Sequence, residues 1–208
     1  MKLENMTKEQ LESVKRVLVI VDMVNGFTTE GNMKNTYMEQ IIPEVLELTK
    51  EFDQDEEALI IEAKEAHDSD CVEFDYYPGH CEKGTSEALL VPELRAYEPR
   101  MFVFEKNSTC VAILPEYIEL FTKLKNLKEA VFAGGCTDIC GIQAIIPTKC
   151  LFNQLNRKVE VIVPKNAMDT YDAPWHNRDE YNDISYKLMN QAGIQLVKKY
   201  ERGNKYGK

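Results

Sequence analysis

The chain alternates between short apolar runs and longer amphipathic stretches. Val17–Val21 is an unbroken β-branched and aliphatic run, ended by Asp22. Such a run is the mark of a strand covered on both faces, as in a parallel sheet. Ala58–Ala63, Met101–Lys106, Glu129–Gly135, Lys158–Pro164 and Ile194–Tyr200 predict five more strands. Between them lie helical patterns. Met38–Phe52 carries Ile41, Ile42, Val45, Leu46 and Leu48 near helical spacing, Leu114–Asn126 has Pro115 in its first turn, and Asp179–Gly193 ends on glycine. Thr7 is a candidate N-cap for a short lead-in helix, and Thr137 and Asp138 offer capping chemistry to the helix that opens at Cys136. Strand–helix alternation throughout predicts a three-layer α/β/α domain with a six-stranded, mostly parallel sheet.

No repeat, low-complexity tract or linker interrupts the pattern, so residues 1–208 are read as one domain. Glu201–Lys208 reads as a frayed tail. One segment breaks the rhythm. Lys64–Thr85 is polar and irregular, holds two of the three histidines, and is long for a connection in a compact domain. Its aromatics Phe74, Tyr76 and Tyr77 argue for order.

Composition narrows the function. A net charge of −10 leaves no basic footprint for nucleic acid or for anionic membranes. No stretch approaches the roughly 18 apolar residues of a membrane span. The opening MKLENMTKEQLESVKR lacks the apolar core of a signal peptide, which leads us to expect a cytoplasmic protein. The six cysteines are then read as reduced thiols rather than disulfides.

In an open α/β sheet, ligands sit beyond the carboxyl ends of the strands. Asp22, Lys106 and the Gly135–Cys140 turn fall there, at the ends of the first, third and fourth strands. The histidine loop follows the second. Cys140, in the first turn of a helix, is a candidate nucleophile, because the helix dipole and free N–H groups favour a thiolate. Lys106 beside it lowers the thiol pKa further, and Asp22 takes the proton and returns it to a leaving amine. The backbone N–H groups of Cys136 and Cys140 form a candidate oxyanion hole. Taken singly, each residue has an ordinary reading: a helical cysteine fills core, an aspartate ends a strand, a lysine is a solvated charge. Glu65, His67, Glu73 and His80 form a possible mixed nitrogen and oxygen metal site. The alternative is an acidic surface loop with two incidental histidines.

These residues resemble the isochorismatase-like cysteine hydrolases, and within them the nicotinamidase branch. The likeness runs from Val17 to Val197. The D-x-x-N-x-F motif appears as Asp22-Met-Val-Asn25-Gly-Phe27, the strand-end lysine as Lys106, and G-x-x-T-D-x-C as Gly134-Gly-Cys136-Thr137-Asp138-Ile-Cys140. The resemblance implies an Asp22–Lys106–Cys140 triad and a cis peptide before Cys136. The P-x-H-C-x-x-G-T segment is intact as Pro78-Gly-His80-Cys81-Glu-Lys-Gly84-Thr85, and the preceding D-x-H reads Glu65-Ala-His67. Glu73 stands seven residues before His80, where some relatives add an acidic ligand. The implied cofactor is a divalent metal, zinc, with iron or manganese as family alternatives.

The implied activity is hydrolysis of nicotinamide or a related small primary amide through a cysteine thioester, with Phe27 and Trp175 stacking on the substrate ring. Val24 replaces the family's usual glutamine, Gly141 its usual apolar residue, and Trp175-His176 stands where many relatives have Gly-His. The Glu65 and Val24 departures keep open a metal-independent amidase acting on another small amide or carbamoyl compound; a further alternative, against which the intact triad argues, is a non-catalytic binding or scaffold member of the fold. By analogy with relatives, a homo-oligomer is expected.

Overall fold

The computed structural model describes residues 1 and 3–203. Arg16–Val21 forms the central strand β1, buried along its whole length. Around it lie β2 (Ala58–Glu65), β3 (Phe102–Lys106), β4 (Glu129–Gly135), β5 (Glu160–Pro164), β6 (Met168–Asp169) and β7 (Gln195–Val197). The order is β3-β2-β1-β4-β5-β7, with every pairing parallel. The sheet has seven strands where six were expected. The addition, β6, is two residues long and pairs with Gly134 and Gly135 at the end of β4, too short to leave a period in the sequence.

Side chains alternate across β1, as strand geometry requires. Val17, Val19 and Val21 face one core, Leu18 and Ile20 the other. The first core packs under α5 (Pro115–Lys123), α6 (Ile142–Gln154) and α7 (Arg178–Gln191), using Tyr117, Phe121, Ile145, Phe152 and Met189. The second packs under α4 (Ile42–Asp53) and the Leu90–Met101 segment. Three short α-helices are also found among the described residues: α1 (Lys8–Ser13), α2 (Asn25–Thr28) and α3 (Thr36–Gln40).

Thr7 caps α1 in a capping box with Gln10, as expected. The helix expected over Met38–Phe52 is instead two, α3 and α4, broken at Ile41. Asn35 caps α3 through Met38 N–H at 2.9 Å. Pro43 sits in the first turn of α4, where its missing N–H costs nothing, but it could not have donated within one continuous helix. Tyr200 is buried and its hydroxyl accepts from Arg16 at 2.6 Å. The tail expected over Glu201–Lys208 lies, from residue 204 onward, outside the described residues. Among the described residues no helix is long and apolar enough to cross a membrane.

Register brings the strand ends together. Val21 lies level with Ala63 on one side and Gly134 on the other, and Glu65 lies level with Lys106. Gly134 has φ +109°, and a Cβ there would collide with the Val21 carbonyl, so only glycine lets β4 run this close to β1.

Candidate active site

Asp22 is the first residue past β1 and turns the chain with φ +53°, a conformation aspartate tolerates better than most residues. Its N–H donates to Ala63 O at 2.9 Å, and its Oδ1 accepts Glu65 N–H at 2.7 Å. These two bonds aim the other oxygen, Oδ2, at Lys106 Nζ, 2.8 Å away. Lys106 also donates to Glu65 Oε1 at 2.9 Å. Cys140 lies in a wide turn, Thr137–Gly141, joining β4 to α6, and Gly141 N–H closes that turn on Cys136 O at 2.8 Å. The thiol donates to the same Glu65 Oε1 at 3.2 Å. Asp22, Glu65 and Cys140 therefore bring their polar atoms within 4.8 Å of one another.

All four groups are almost fully buried. Burial, and then the Glu65 carboxylate, push the Asp22 carboxyl up to about 6 against the pull of Lys106. Burial also works against the Lys106 ammonium, but Asp22, Cys140 and Glu65 outweigh it and hold the lysine charged. Glu65 goes the other way from Asp22: burial disfavours its charge, yet Lys106 and the two histidines hold it well below the usual carboxylate range. The Cys140 thiol departs from expectation. Burial and the facing Glu65 carboxylate push it well above its ordinary value, and Lys106 does not offset them. The helix dipole and the lysine alone do not set this thiol; burial, joined by the Glu65 carboxylate, outweighs them.

Thr137 and Asp138 do not cap as expected. The cap position, Cys136, makes no side-chain cap bond. Asp138 Oδ2 instead meets His176 Nε2 at 2.9 Å. The peptide between Gly135 and Cys136 is cis, as the resemblance implies. The Cys136 and Cys140 backbones stand at this junction, and both residues line the cavity above it.

His67 and His80 turn their Nε2 atoms toward Glu65 Oε2, at 3.2 Å and 3.0 Å. The Nδ1 atom of His80 lies 2.7 Å from Pro78 O. A carbonyl only accepts, so Nδ1 carries the hydrogen and a neutral ring presents a lone pair at Nε2. Glu65 draws the His80 pKa upward against burial, so the carboxylate calls for positive charge at this point. The ligand atoms of Glu65, His67 and His80 lie within 4.8 Å of one another. Two ligands each about 2.1 Å from one ion lie about 3.0 Å apart at right angles and about 3.4 Å apart at the tetrahedral angle. The three side chains fit a divalent metal. Behind them, Cys71 Sγ lies 3.3 Å from His67 Nδ1 and fixes that ring. Glu73 is not in this group. Its Oε1 accepts Thr109 N–H at 3.1 Å, and the other oxygen is buried without a hydrogen-bond partner at the cavity wall.

The cavity above the cluster has a volume of about 440 Å³. Cys136, Cys140, Glu65 and His80 line it, together with Phe27, Tyr77, Tyr171 and Trp175. Phe27 is buried, with its ring centroid 5.4 Å from that of His80. Trp175 is 80% exposed and stands at the mouth. Sequence reasoning read Tyr77 only as a sign of order and did not single out Tyr171; both lie in irregular segments with no periodic signal. It named Glu65 only as a metal ligand. The signal for more was the extra methylene of glutamate over aspartate, which gives the carboxylate reach toward Lys106 and Cys140.

A parallel α/β/α sheet with these residues at adjoining strand ends has the architecture of the isochorismatase-like hydrolases. The family model described as the isochorismatase domain matches residues 16–198, and the chain belongs to that family. A nicotinamidase of Arabidopsis thaliana is 29% identical over 200 residues, covering 87% of this chain and 81% of its own. The crystal structure of a Bacillus subtilis nicotinamidase superposes with a TM-score of 0.72 at 24% identity, covering 88% of this chain and 99% of its own. A Pyrococcus horikoshii pyrazinamidase, solved in complex with zinc, gives 0.68 at 20% identity, covering 88% and 98%.

Proposed function

We propose that this isochorismatase-family hydrolase is a nicotinamidase-like amidase that cleaves nicotinamide or a related small primary amide. The observation that carries the reading is the buried Lys106–Asp22–Glu65–Cys140 cluster at the floor of an aromatic-walled cavity. The Cys140 sulfur adds to the amide carbon while its proton passes to Asp22, whose raised pKa suits it to hold a proton near neutrality. Lys106, charged and fixed by two carboxylates, keeps Asp22 oriented. The oxyanion meets the Cys136 and Cys140 backbone at the turn. The C–N bond breaks, Asp22 returns the proton, and ammonia leaves from an acyl-thioester. Water then adds to the thioester, releasing the acid and restoring the thiol.

Glu65, His67 and His80 are the residues that would hold a divalent metal, with zinc the ion this donor set suits. Such an ion supplies a Lewis-acidic anchor for a donor atom of the substrate. Phe27 and Trp175, which both line the cavity, would stack on a planar substrate ring.

Ammonia release from nicotinamide by the purified, metal-replete protein tests the reading. Absence of release from the wild type rejects nicotinamide as a substrate. Full activity in Cys140→Ala rejects the thioester route.

A further inference from the structure

His176 lies far from the metal group in sequence and takes no part in the chemistry above, yet every part of it is engaged. It is 4% exposed. Its ring is sandwiched between Tyr171, with centroids 3.8 Å apart and planes at 12°, and Tyr181, at 3.7 Å and 24°. Nδ1 lies 3.0 Å from Tyr171 O, and Nε2 lies 2.9 Å from Asp138 Oδ2. Its backbone exchanges two 2.9 Å hydrogen bonds with Ala173. Because the Tyr171 carbonyl only accepts, Nδ1 carries the hydrogen of that contact, and Nε2 faces the Asp138 carboxylate.

The two ends of this arrangement matter. Asp138 sits two residues before Cys140, in the turn that presents the thiol. Tyr171, Ala173 and Trp175 belong to the loop that carries His176, and all three line the cavity. We infer that His176 is a positioning residue. Through Asp138 it sets the spacing between the nucleophile's turn and the far wall of the substrate cavity. This inference rests on the amidase reading of the same site. Its physical basis is that a misplacement of about 1 Å between nucleophile and bound substrate can cost about 100-fold in rate.

Two near-isosteric variants separate positioning from mere structural support. In His176→Gln the amide nitrogen falls near the position of Nε2 and can still donate to Asp138. In His176→Asn it falls near Nδ1, keeps the Tyr171 bond and loses Asp138. Both lose the ring stack, so both are expected to melt at similar temperatures. The inference expects kcat for amide hydrolysis to fall about tenfold or more in His176→Asn, while His176→Gln stays within about threefold of wild type. The alkylation rate of Cys140 by iodoacetamide, read site by site by mass spectrometry, should split the two variants in the same sense. Equal losses in both variants, or no loss in either, overturn it. A wild type that releases no ammonia overturns the amidase reading alone, since the alkylation rates still decide the role of His176.

Discussion

Glu62 and Glu65 sit three residues apart on β2, with 0% and 1% of their surfaces exposed. The odd spacing sends them to opposite faces of the sheet. Glu65 has four side-chain partners: Lys106, Cys140, His67 and His80. Among the described residues neither carboxylate oxygen of Glu62 has a hydrogen-bond partner. Their acidities part accordingly. Burial pushes Glu62 well above the usual carboxylate range, with Asp22 adding to the shift and Lys64 only partly offsetting it. Glu65 suffers the same burial but is held well below by Lys106 and the histidines. Burial sets a common upward push, and a cation in contact reverses it. One face of this strand buries an acid whose charge the core disfavours. The other keeps an anion that joins the proposed catalytic cluster to a candidate metal site.

The comparison breaks most sharply at the cluster that Glu65 serves. Cys140→Ala removes the nucleophile, and turnover of nicotinamide should fall by about 10⁴-fold or more, read as ammonia released. Lys106→Met leaves Asp22 and Glu65 facing each other without their cation. Loss of one partner from a buried ion pair typically costs about 3–5 kcal/mol, so the urea midpoint should drop by a corresponding amount, together with activity. Unchanged stability in this variant would mean that the lysine does not hold the two carboxylates charged. Glu65→Gln keeps size and removes charge. It should lower kcat/KM by about 100-fold and reduce the metal recovered with the protein by elemental analysis. Glu62→Gln should do neither.

Much of this was legible in the chain. The run Val17–Val21 and the strand-end positions of Asp22 and Lys106 follow from an apolar period that stops at a charge, and the six longer strands were placed from it. Cys140 and His80 stood in spaced motifs. Less was legible where distance in space, not period, decides. The two-residue β6 carries no pattern. The break at Ile41 was written in Pro43 but was masked by a good apolar stripe. Glu73 had the right spacing for a ligand, but its carboxylate stands outside the Glu65–His67–His80 group, with one oxygen on Thr109 N–H and the other unpaired at the cavity wall among the described residues. The Asp138–His176 contact joins residues 38 apart in sequence and left no local signature. Glu62 lies within the run Ala58–Ala63 and drew no reading of its own; its burial depends on what packs over it from the Leu90–Met101 segment.

The smallest expected effect lies with that unpartnered acid, and it concerns stability alone. The folded-state pKa of Glu62 is raised above the unfolded value, so the fold favours its protonated form. Below the unfolded pKa, about 4.3, both states are protonated and nothing is lost. As pH rises from there, the unfolded chain ionises while the folded one resists, and stability declines until the folded pKa is passed. Replacing the residue with an apolar side chain of similar length removes a buried polar group that makes no hydrogen bond, for which protein data put the cost at about 1–3 kcal/mol. Glu62→Met is therefore expected to unfold at higher urea at both neutral pH and about pH 4, with the larger gain near neutral pH where the ionisation cost adds to that of the unpaired group, and to leave amide hydrolysis unchanged. A gain that is the same at both pH values would show that packing, not ionisation, separates the variants. A loss of stability at neutral pH would mean that Glu62 is stabilised in the fold by contacts beyond those described, and the contrast with Glu65 would then be one of degree.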